Sequence, residues 1–235
     1  MGDLRPYPLY LSINVAFGLA FMRYATISSV YRIQTVGLNP LQLVLVGTVL
    51  ELAVLVFEVP TGVLADTYGR RRSVMFGFLL IGAGFSFEGT LPTFATVLSA
   101  QVIWGAGYTL ISGALQAWIA DESSGQDLGR IYLRGEQADY VGSFFGVFAS
   151  ALLATVALNL PLLLAGALAG VLGVTLTFLM QERNVRPTPR GTRRLAPGGR
   201  HGERWRPARA RPFGAPALRP ERAHLRGGSR LRAGR

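Results

Sequence analysis

The stretch that decides the fold is Gly62–Arg72, which reads GVLADTYGRRR. It contains a glycine, an acid four residues later, a second glycine and three consecutive arginines, and an apolar segment lies on each side of it. Charged turns between long apolar segments are typical of proteins that cross a membrane several times. The fold class therefore depends on what the neighbouring segments can span.

Long charge-free segments follow this turn. Residues 89–120 and 140–181 contain no Asp, Glu, Lys or Arg. As helix, the second of these segments would extend about 60 Å at ~1.5 Å per residue, whereas the hydrocarbon core of a bilayer is only about 30 Å thick. Each segment is therefore predicted to hold two spans. The turns between them fall at Pro92 and at Asn159–Pro161, because proline ends helices.

The sequence predicts an all-α membrane protein, a bundle of six transmembrane helices. A barrel is disfavoured because the apolar runs lack the alternation of lipid-facing and lumen-facing residues, and lipid offers no partner for unpaired backbone groups. A soluble helical bundle is disfavoured because soluble helices have a polar face, and most of these do not. The predicted helices are Tyr10–Tyr31, Leu41–Leu64, Val74–Gly89, Thr93–Ile119, Tyr140–Leu158 and Pro161–Met180.

Arginine positions predict the orientation, since the chain contains no lysine. With a cytoplasmic amino terminus, the outer loops hold only Arg32, and Arg23 lies inside the first helix. The positive-inside rule then places both ends of the six-helix domain in the cytoplasm. We expect a multi-pass protein of the plasma membrane, the inner membrane in a bacterium, without a cleaved signal peptide. The arginines of the predicted inner loops are Arg5, Arg70, Arg71, Arg72, Arg130, Arg134, Arg183 and Arg186.

Charge divides the chain into two unlike domains. Residues 1–186 carry a net charge of −1 and residues 187–235 a net charge of +12. The second segment is rich in Arg, Gly and Pro and poor in large aliphatics, so it is predicted to be a disordered cytoplasmic tail. One interpretation is a basic arm that binds anionic lipid or nucleic acid. The other is out-of-frame translation of a GC-rich gene, in which case no specific nucleic-acid partner is expected.

No motif for a cofactor, a metal or an enzymatic reaction occurs in the sequence. The absence of cysteine excludes disulfides and thiol-ligated metal sites. Nothing resembles a phosphate-binding loop, a histidine–carboxylate metal cluster or a nucleophile elbow. We therefore expect no cofactor and no enzyme.

The arginine-containing turn carries a family resemblance. It is similar to the loop signature between the second and third helices of the major facilitator superfamily, and the similarity covers roughly residues 8–186. Two further runs, FEVPTG at Phe57–Gly62 and WGAGYTLISGALQAWIAD at Trp104–Asp121, resemble the drug-efflux-like branch. Thr67 departs from the pattern, since the family commonly has arginine there. The matching residues of the turn are Gly62, Asp66, Gly69, Arg70 and Arg71.

Each residue of the turn has a physical interpretation. Gly62 allows another helix to approach closely. Asp66 is expected just before the third helix, where a carboxylate is favoured by the positive end of the helix dipole. Arg70 is within reach of Asp121, and the resemblance implies that such a pair belongs to a cytoplasmic charge network. We hypothesise that Asp66, Arg70 and Asp121 form a latch that stabilises one access state. The alternative is that the arginines only fix the topology.

Two charges are predicted within the membrane at similar depth. Arg23 in the first helix and Glu51 in the second each lie about ten residues from the outer end, and an intramembrane charge costs at least about 2.5–3.5 kcal/mol. Either they pair permanently and hold the two helices together, or both line the central cavity. In the second case Glu51 is a candidate proton carrier.

Other polar residues on apolar helices are candidates for substrate or proton coupling. Glu58 lies on the same face as Glu51, and we expect it to bond to the irregular backbone before Pro60. Glu88, near the outer end of the third helix, is expected to be solvated. Gly142 and Gly146 are spaced for close helix contact in the fifth helix, which lacks the proline-bearing glycine signature of many antiporters of the superfamily. The uncharged cavity candidates are Asn14, Gln101, Trp104 and Gln116.

The resemblance implies one half of a transporter. Proteins of this superfamily have two six-helix bundles with the substrate between them, and only the first bundle is expected here. A single bundle would form a homodimer, recruit a separate second half, or be an inactive truncation. One function is secondary transport of a small molecule, including drug efflux. The other is a non-transporting membrane remnant or partner protein whose basic tail contacts lipid or nucleic acid.

Overall fold

The computed structural model describes residues 6–123 and 127–180. These residues form six helices, and no strand occurs among them. The predicted all-α fold is therefore confirmed, whereas the predicted tail at 187–235 lies outside the described residues. The helices are α1 (Pro6–Gln34), α2 (Pro40–Tyr68), α3 (Arg70–Thr90), α4 (Phe94–Glu122), α5 (Leu128–Ala154) and α6 (Leu160–Leu179).

Five of the helices are long and apolar enough to cross a membrane, namely α1, α2, α3, α4 and α6. The sixth, α5, begins with a polar half that contains Arg134, Glu136 and Asp139. Charged residues lower the mean hydropathy of this helix, although its second half is as apolar as the others. The length and apolar composition of these helices indicate a multi-pass membrane protein.

The start of α5 is the largest departure from the predicted boundaries. The sequence predicted a helix from Tyr140, but the helix begins at Leu128. Asp127 caps it, because its side chain accepts a hydrogen bond from the Arg130 amide. Ile131 and Gly135 are buried, and the aromatic ring of Tyr10 in α1 lies against Gly135. Arg130 and Arg134 therefore lie on a helix, not in a loop as predicted.

The helix α2 also extends beyond its predicted end. It continues through Pro60 to Tyr68, so Asp66 lies in its last turn and not in a loop before α3. Near the proline, the hydroxyl of Thr61 donates hydrogen bonds to the carbonyls of Phe57 (2.6 Å) and Glu58 (3.2 Å). This hydroxyl, and not the Glu58 carboxylate, bonds to the backbone near the proline.

The helices pack in two matching groups of three. α1 packs against α5 and α6, α4 packs against α2 and α3, and α3 and α6 pack against each other. Exchanging α1 with α4, α2 with α5 and α3 with α6 leaves this pattern unchanged. Such internal repeats are found within the six-helix halves of transporters.

Glycines permit the closest helix contacts. Gly142 and Gly146 of α5 lie directly against the backbone of α1 at Val15 and Leu19, so the predicted close contact is present. Between α3 and α6, a Cβ added to Gly82 would lie 2.7 Å from the Gly166 carbonyl oxygen. Contacts this short leave no room for a side chain.

The bundle has two ends, the Gly69 end and the Pro92 end. At the Gly69 end, α2 passes into α3, and α4 also ends there. At the Pro92 end, α3 passes into α4, and α1 also ends there. The charged side chains that the structure brings together lie at these two ends.

Candidate functional site

Gly69 is the single residue between α2 and α3. Its φ of 98° and ψ of 142° lie where side chains other than glycine are strained. Its amide donates to the Ala65 carbonyl at 3.2 Å and so closes α2. The three arginines that follow are therefore delivered at the first turn of α3.

Arg70 joins α3 to the last turns of α4. Its Nη1 donates to the Ala117 carbonyl at 2.7 Å and also contacts the carboxylate of Asp121. The Arg70 side chain is 29% exposed and the Asp121 side chain 40%, so water reaches the pair. The structure thus brings Arg70 and Asp121 together as the sequence analysis expected.

Arg71 joins α3 to the last turn of α6. Its Nη2 donates to the Thr177 carbonyl, one of the carbonyls that a helix end leaves without an intrahelical partner. A cation at this position also interacts favourably with the negative end of the helix dipole. Arg72, by contrast, is exposed.

Asp66 and Gly62 are not brought into this group. Asp66 is exposed, and its carboxylate has no hydrogen-bond or ion-pair partner within the described part of the chain. A Cβ added to Gly62 would meet nothing within 4 Å, so no helix approaches it there. The expected close helix contact at Gly62 is therefore absent among the described residues.

Arg23 and Glu51 do not form the predicted pair. α1 packs against α5 and α6 and not against α2. The Arg23 carbonyl accepts a hydrogen bond from Ser150 of α5 at 2.8 Å, and no described residue bonds to its buried Nε. Glu51 and Glu58 are both exposed on α2. Arg23 and Glu51 are therefore not ion-paired in this structure.

Glu88 is another residue that the sequence analysis placed wrongly. It was expected to be solvated, but its side chain is fully buried and ion-paired with Arg32, whose Nε lies 2.7 Å from Glu88 Oε1. The hydroxyl of Tyr24 donates to Glu88 Oε2 at 2.7 Å, and Arg32 Nη2 donates to the same oxygen at 3.1 Å. Both carboxylate oxygens of Glu88 therefore accept hydrogen bonds from buried or half-buried donors.

The predicted cavity candidates Gln101 and Trp104 belong to this cluster. Gln101 Nε2 donates to Glu88 Oε2 at 2.9 Å, and Trp104 Nε1 donates to Gln101 Oε1 at 3.0 Å. The Trp104 ring packs edge-on against Phe21. The hydrogen bonds thus connect α1, α3 and α4 at the Pro92 end.

The other uncharged candidates lie elsewhere. Gln116 is exposed, and only its backbone carbonyl accepts a bond, from the Tyr132 hydroxyl at 3.3 Å. The Asn14 side chain donates to the carbonyl of Tyr10 at 2.8 Å within α1. The structure therefore assembles two of the four uncharged candidates and leaves Asn14 and Gln116 apart.

A cleft of about 310 Å³ opens at the Pro92 end. Its walls include Tyr31 of α1, Gly89 of α3 and Asn159 before α6, and no charged side chain of the described residues lines it. The Tyr31 hydroxyl donates to the Glu88 carbonyl at 3.1 Å, and Asn159 donates to the Gly89 carbonyl at 3.3 Å. The cleft therefore lies beside the Glu88 cluster.

Sequence comparison identifies the family of this six-helix bundle. The family model described as Major Facilitator Superfamily matches residues 11–225. The chain belongs to the major facilitator superfamily. Within this superfamily it is similar to an uncharacterized MFS-type transporter, YxaM of Bacillus subtilis, with 28% identity over 183 residues.

Two further relatives extend the comparison. The tetracycline resistance protein, class C, of Escherichia coli is 31% identical over 137 residues, which is 58% of this chain and 33% of the relative. The uncharacterized MFS-type transporter MJ1560 of Methanocaldococcus jannaschii is 27% identical over 170 residues, 71% of this chain and 39% of the relative. The YxaM match covers 78% of this chain and 46% of the relative. The chain thus spans less than half the length of these curated relatives in each match.

Proposed function

We propose that this chain is one of the two six-helix bundles of a secondary transporter for a small molecule. The observation that carries the proposal is the Gly69 turn in a chain of the major facilitator superfamily, because Arg70 and Arg71 of this turn lie against α4 and α6. Two bundles rocking around a central site would expose that site to each side of the membrane in turn.

The exposed faces of α2 and α5 favour the presence of a second bundle packed against them. Large apolar side chains are exposed on both helices, among them Val59 and Phe148. Lipid would cover these, but α2 also exposes Glu51 and Glu58 within an apolar helix. A carboxylate in lipid costs at least about 2.5–3.5 kcal/mol, so protein or a water-filled cavity is favoured opposite this face. The partner is a second copy of this chain or a separate six-helix half.

The orientation that we propose places the Gly69 end in the cytoplasm. The arginines of that end, together with those at 130 and 134, give the excess that the positive-inside rule requires. Arg32 at the opposite end is neutralised by Glu88 and so contributes no net positive charge there.

We propose that the Gly69 end holds a latch in two parts. Arg70 and Asp121 form its fixed part within one bundle. Asp66 is the free part, because its exposed carboxylate is available to a partner bundle. The test is the rate at which membrane vesicles that contain both bundles take up the transported molecule, measured for wild type and for Asp66→Asn. A rate equal to wild type would remove the latch.

Drug efflux is the finer proposal, and similarity to a tetracycline resistance protein supports it. Cells that express the chain, alone or with a second six-helix half, are expected to accumulate less radiolabelled tetracycline than cells without it. Unchanged accumulation in both cases would argue against tetracycline as a substrate. Crosslinking through Phe148→Cys on the exposed face of α5 then distinguishes a homodimer from a monomer that needs a separate half.

The alternative proposal is a membrane protein without transport of its own. The net charge of +12 on residues 187–235 favours contact of this segment with anionic lipid. Binding to phosphatidylglycerol vesicles that disappears when these residues are removed, with no uptake in any pairing, would support this alternative.

A further inference from the structure

Five exposed residues of α5 form a single row along the helix, the α5 row. They follow one another at spacings of four, three, four and three residues, and side chains at these spacings lie on one face of a helix. The opposite face of α5 packs on α1 through Gly142 and Gly146. The α5 row consists of Arg130, Arg134, Gln137, Val141 and Phe144.

The chemistry of the α5 row changes along its length. Two arginines lie near the start of the helix, an amide follows, and the last two residues are apolar. Val141 is 53% exposed and Phe144 is 59% exposed, so both are open to contact from outside the bundle. A phospholipid has the same order, from a charged phosphate through polar ester groups to apolar acyl chains.

The length of the α5 row matches one leaflet of a bilayer. From Arg130 to Phe144 the helix rises about 21 Å at ~1.5 Å per residue. A bilayer is about 40–45 Å thick with its headgroups, so one leaflet accounts for about 20–22 Å. The start of α5 belongs to the Gly69 end, because residues 123–127 connect it to the end of α4. The two arginines therefore lie at the headgroup level of the leaflet at that end.

The positive charge of the α5 row is largely available to an anion. Arg130 lies 3.9 Å from Asp127, but the two side chains are 80% and 69% exposed, and such a pair is weak. Arg134 has no ion-pair partner among residues 6–123 and 127–180. Glu136 follows two residues later and so lies on a different side of the helix. A guanidinium group matches the geometry of a phosphate, to which it donates two parallel hydrogen bonds.

We propose that the α5 row binds one anionic phospholipid of the leaflet at the Gly69 end. Arg130 and Arg134 donate hydrogen bonds to its phosphate, Gln137 donates to the ester region, and Val141 and Phe144 contact an acyl chain. Charge complementarity selects an anionic headgroup over a zwitterionic one. In the orientation proposed above, this is the cytoplasmic leaflet. The binding of lipid does not depend on transport by the chain.

The site leaves part of α5 available to a second bundle. Phe148 is 61% exposed and lies one turn beyond Phe144, toward the Pro92 end. Its ring centroid is 4.9 Å from that of Phe144. Leu152, one further turn along, is 72% exposed. Because the lipid occupies only the length of one leaflet, a second bundle can contact α5 at these deeper residues.

Fluorescence quenching in lipid vesicles tests the site on the whole chain, which contains no cysteine of its own. Tyr140→Cys carries a bimane label beside the α5 row, at an exposed position, and keeps all five row residues. Phospholipids with brominated acyl chains quench a label that they contact. We expect half-maximal quenching at an about five-fold lower mole fraction of brominated phosphatidylglycerol than of brominated phosphatidylcholine, the ratio that one arginine beside an anionic lipid supplies. Label at Leu152→Cys, near the other end of α5, should be quenched equally by the two lipids.

Variants of the labelled protein separate the site from a general effect of charge. Arg130→Gln with Arg134→Gln should abolish the preference for phosphatidylglycerol at Tyr140→Cys. Arg72→Gln, which removes another exposed arginine at the Gly69 end, is the matched control and should keep the preference. The basic segment 187–235 is present in every variant, so it cannot produce a difference between them. Far-UV circular dichroism checks that each variant remains helical.

Three results would overturn the site. The first is equal quenching by the two lipids in wild type, and the second is a preference that survives loss of both row arginines. The third is a preference that Arg72→Gln abolishes equally, which would indicate general attraction of anionic lipid. Protection of Tyr140→Cys from both lipids, together with crosslinking of two copies through this cysteine, would assign the α5 row to a protein interface and would likewise overturn the proposal.

Discussion

Arg32 and Glu88 are 56 residues apart in the chain, yet Arg32 Nε lies 2.7 Å from Glu88 Oε1. The Glu88 side chain is fully buried, and only 12% of the Arg32 side chain is exposed. Removing one partner of a buried ion pair leaves an uncompensated charge. The free energy of unfolding that is lost in this way generally exceeds the net stabilisation by the intact pair. The pair therefore holds the ends of α1 and α3 together.

Replacing Arg32 by Gln is expected to lower the free energy of unfolding by about 3–5 kcal/mol, because the buried Glu88 carboxylate loses its counter-ion. Chemical denaturation in detergent, followed by tryptophan fluorescence, measures the change. The control is Arg130→Gln, which removes an exposed pair with Asp127 at 3.9 Å and should change stability by less than about 1 kcal/mol. Equal effects of the two variants would show that the buried pair does not stabilise the bundle.

Substituting Gly82 by Ala is expected to destabilise the bundle by about 1–3 kcal/mol, because the new methyl group would overlap the backbone of α6. The nearest atoms, at 2.7 Å, are the Gly166 carbonyl oxygen and the Gly170 amide nitrogen, neither of which can rotate away. Thermal unfolding in the same detergent gives the comparison.

Gly113→Ala serves as its matched control. Gly113 is also within a helix, but a Cβ there would meet nothing within 4 Å. Alanine is the better helix former by about 1 kcal/mol, so this variant should be neutral or more stable than wild type. A Gly82→Ala protein as stable as Gly113→Ala would contradict the close α3–α6 contact.

Arg71→Ala is expected to loosen the last turn of α6, because the Thr177 carbonyl loses the Arg71 donor. Hydrogen exchange measured by mass spectrometry should become several-fold faster in the peptide that contains Met180, whose amide bonds to the Leu176 carbonyl. Arg72→Ala removes the exposed neighbouring arginine and should leave the exchange rate unchanged. A similar increase of the exchange rate in both variants would instead indicate a general effect of removing one positive charge.

The absence of cysteine makes the orientation directly testable. Tyr68→Cys, at the Gly69 end, and Leu91→Cys, at the Pro92 end, each place a thiol at an exposed position. In intact cells, a membrane-impermeant maleimide should label Leu91→Cys and not Tyr68→Cys, and in inside-out vesicles the pattern should reverse. Labelling of Tyr68→Cys from outside would refute the orientation that the arginines predict.

The number and type of helices could be predicted from the sequence because lipid imposes one requirement on every span, a long apolar helix. Boundaries were less predictable where a helix continues beyond the apolar segment. The polar start of α5 has no hydropathy signal, since it is held by the Asp127 cap and by packing on Tyr10. Asp66 was placed outside α2 because its helical turn extends past the apolar residues.

Contacts between residues far apart in the chain were predictable only where a family resemblance or a shared loop position indicated them. The family resemblance and the loop positions brought Arg70 and Asp121 together. Neither a family resemblance nor a loop position indicated a contact between Arg32 and Glu88. Each of them nevertheless lies two residues before the end of its helix, and both helices end at the Pro92 end. Lone charges of opposite sign at matching ends of apolar helices are a usable signal, because the cost of an unpaired charge in a membrane favours their pairing.

α3 has charged contacts at both tips. Arg70 and Arg71 bind α4 and α6 at one tip, and about 30 Å away at ~1.5 Å per residue Glu88 binds α1 and α4 at the other. Bending or sliding this helix against its neighbours would break polar contacts at two separated places simultaneously, whereas tilting all six helices together would break none. These contacts fix α3 to its neighbours at both ends, which favours movement of the six helices as one rigid body.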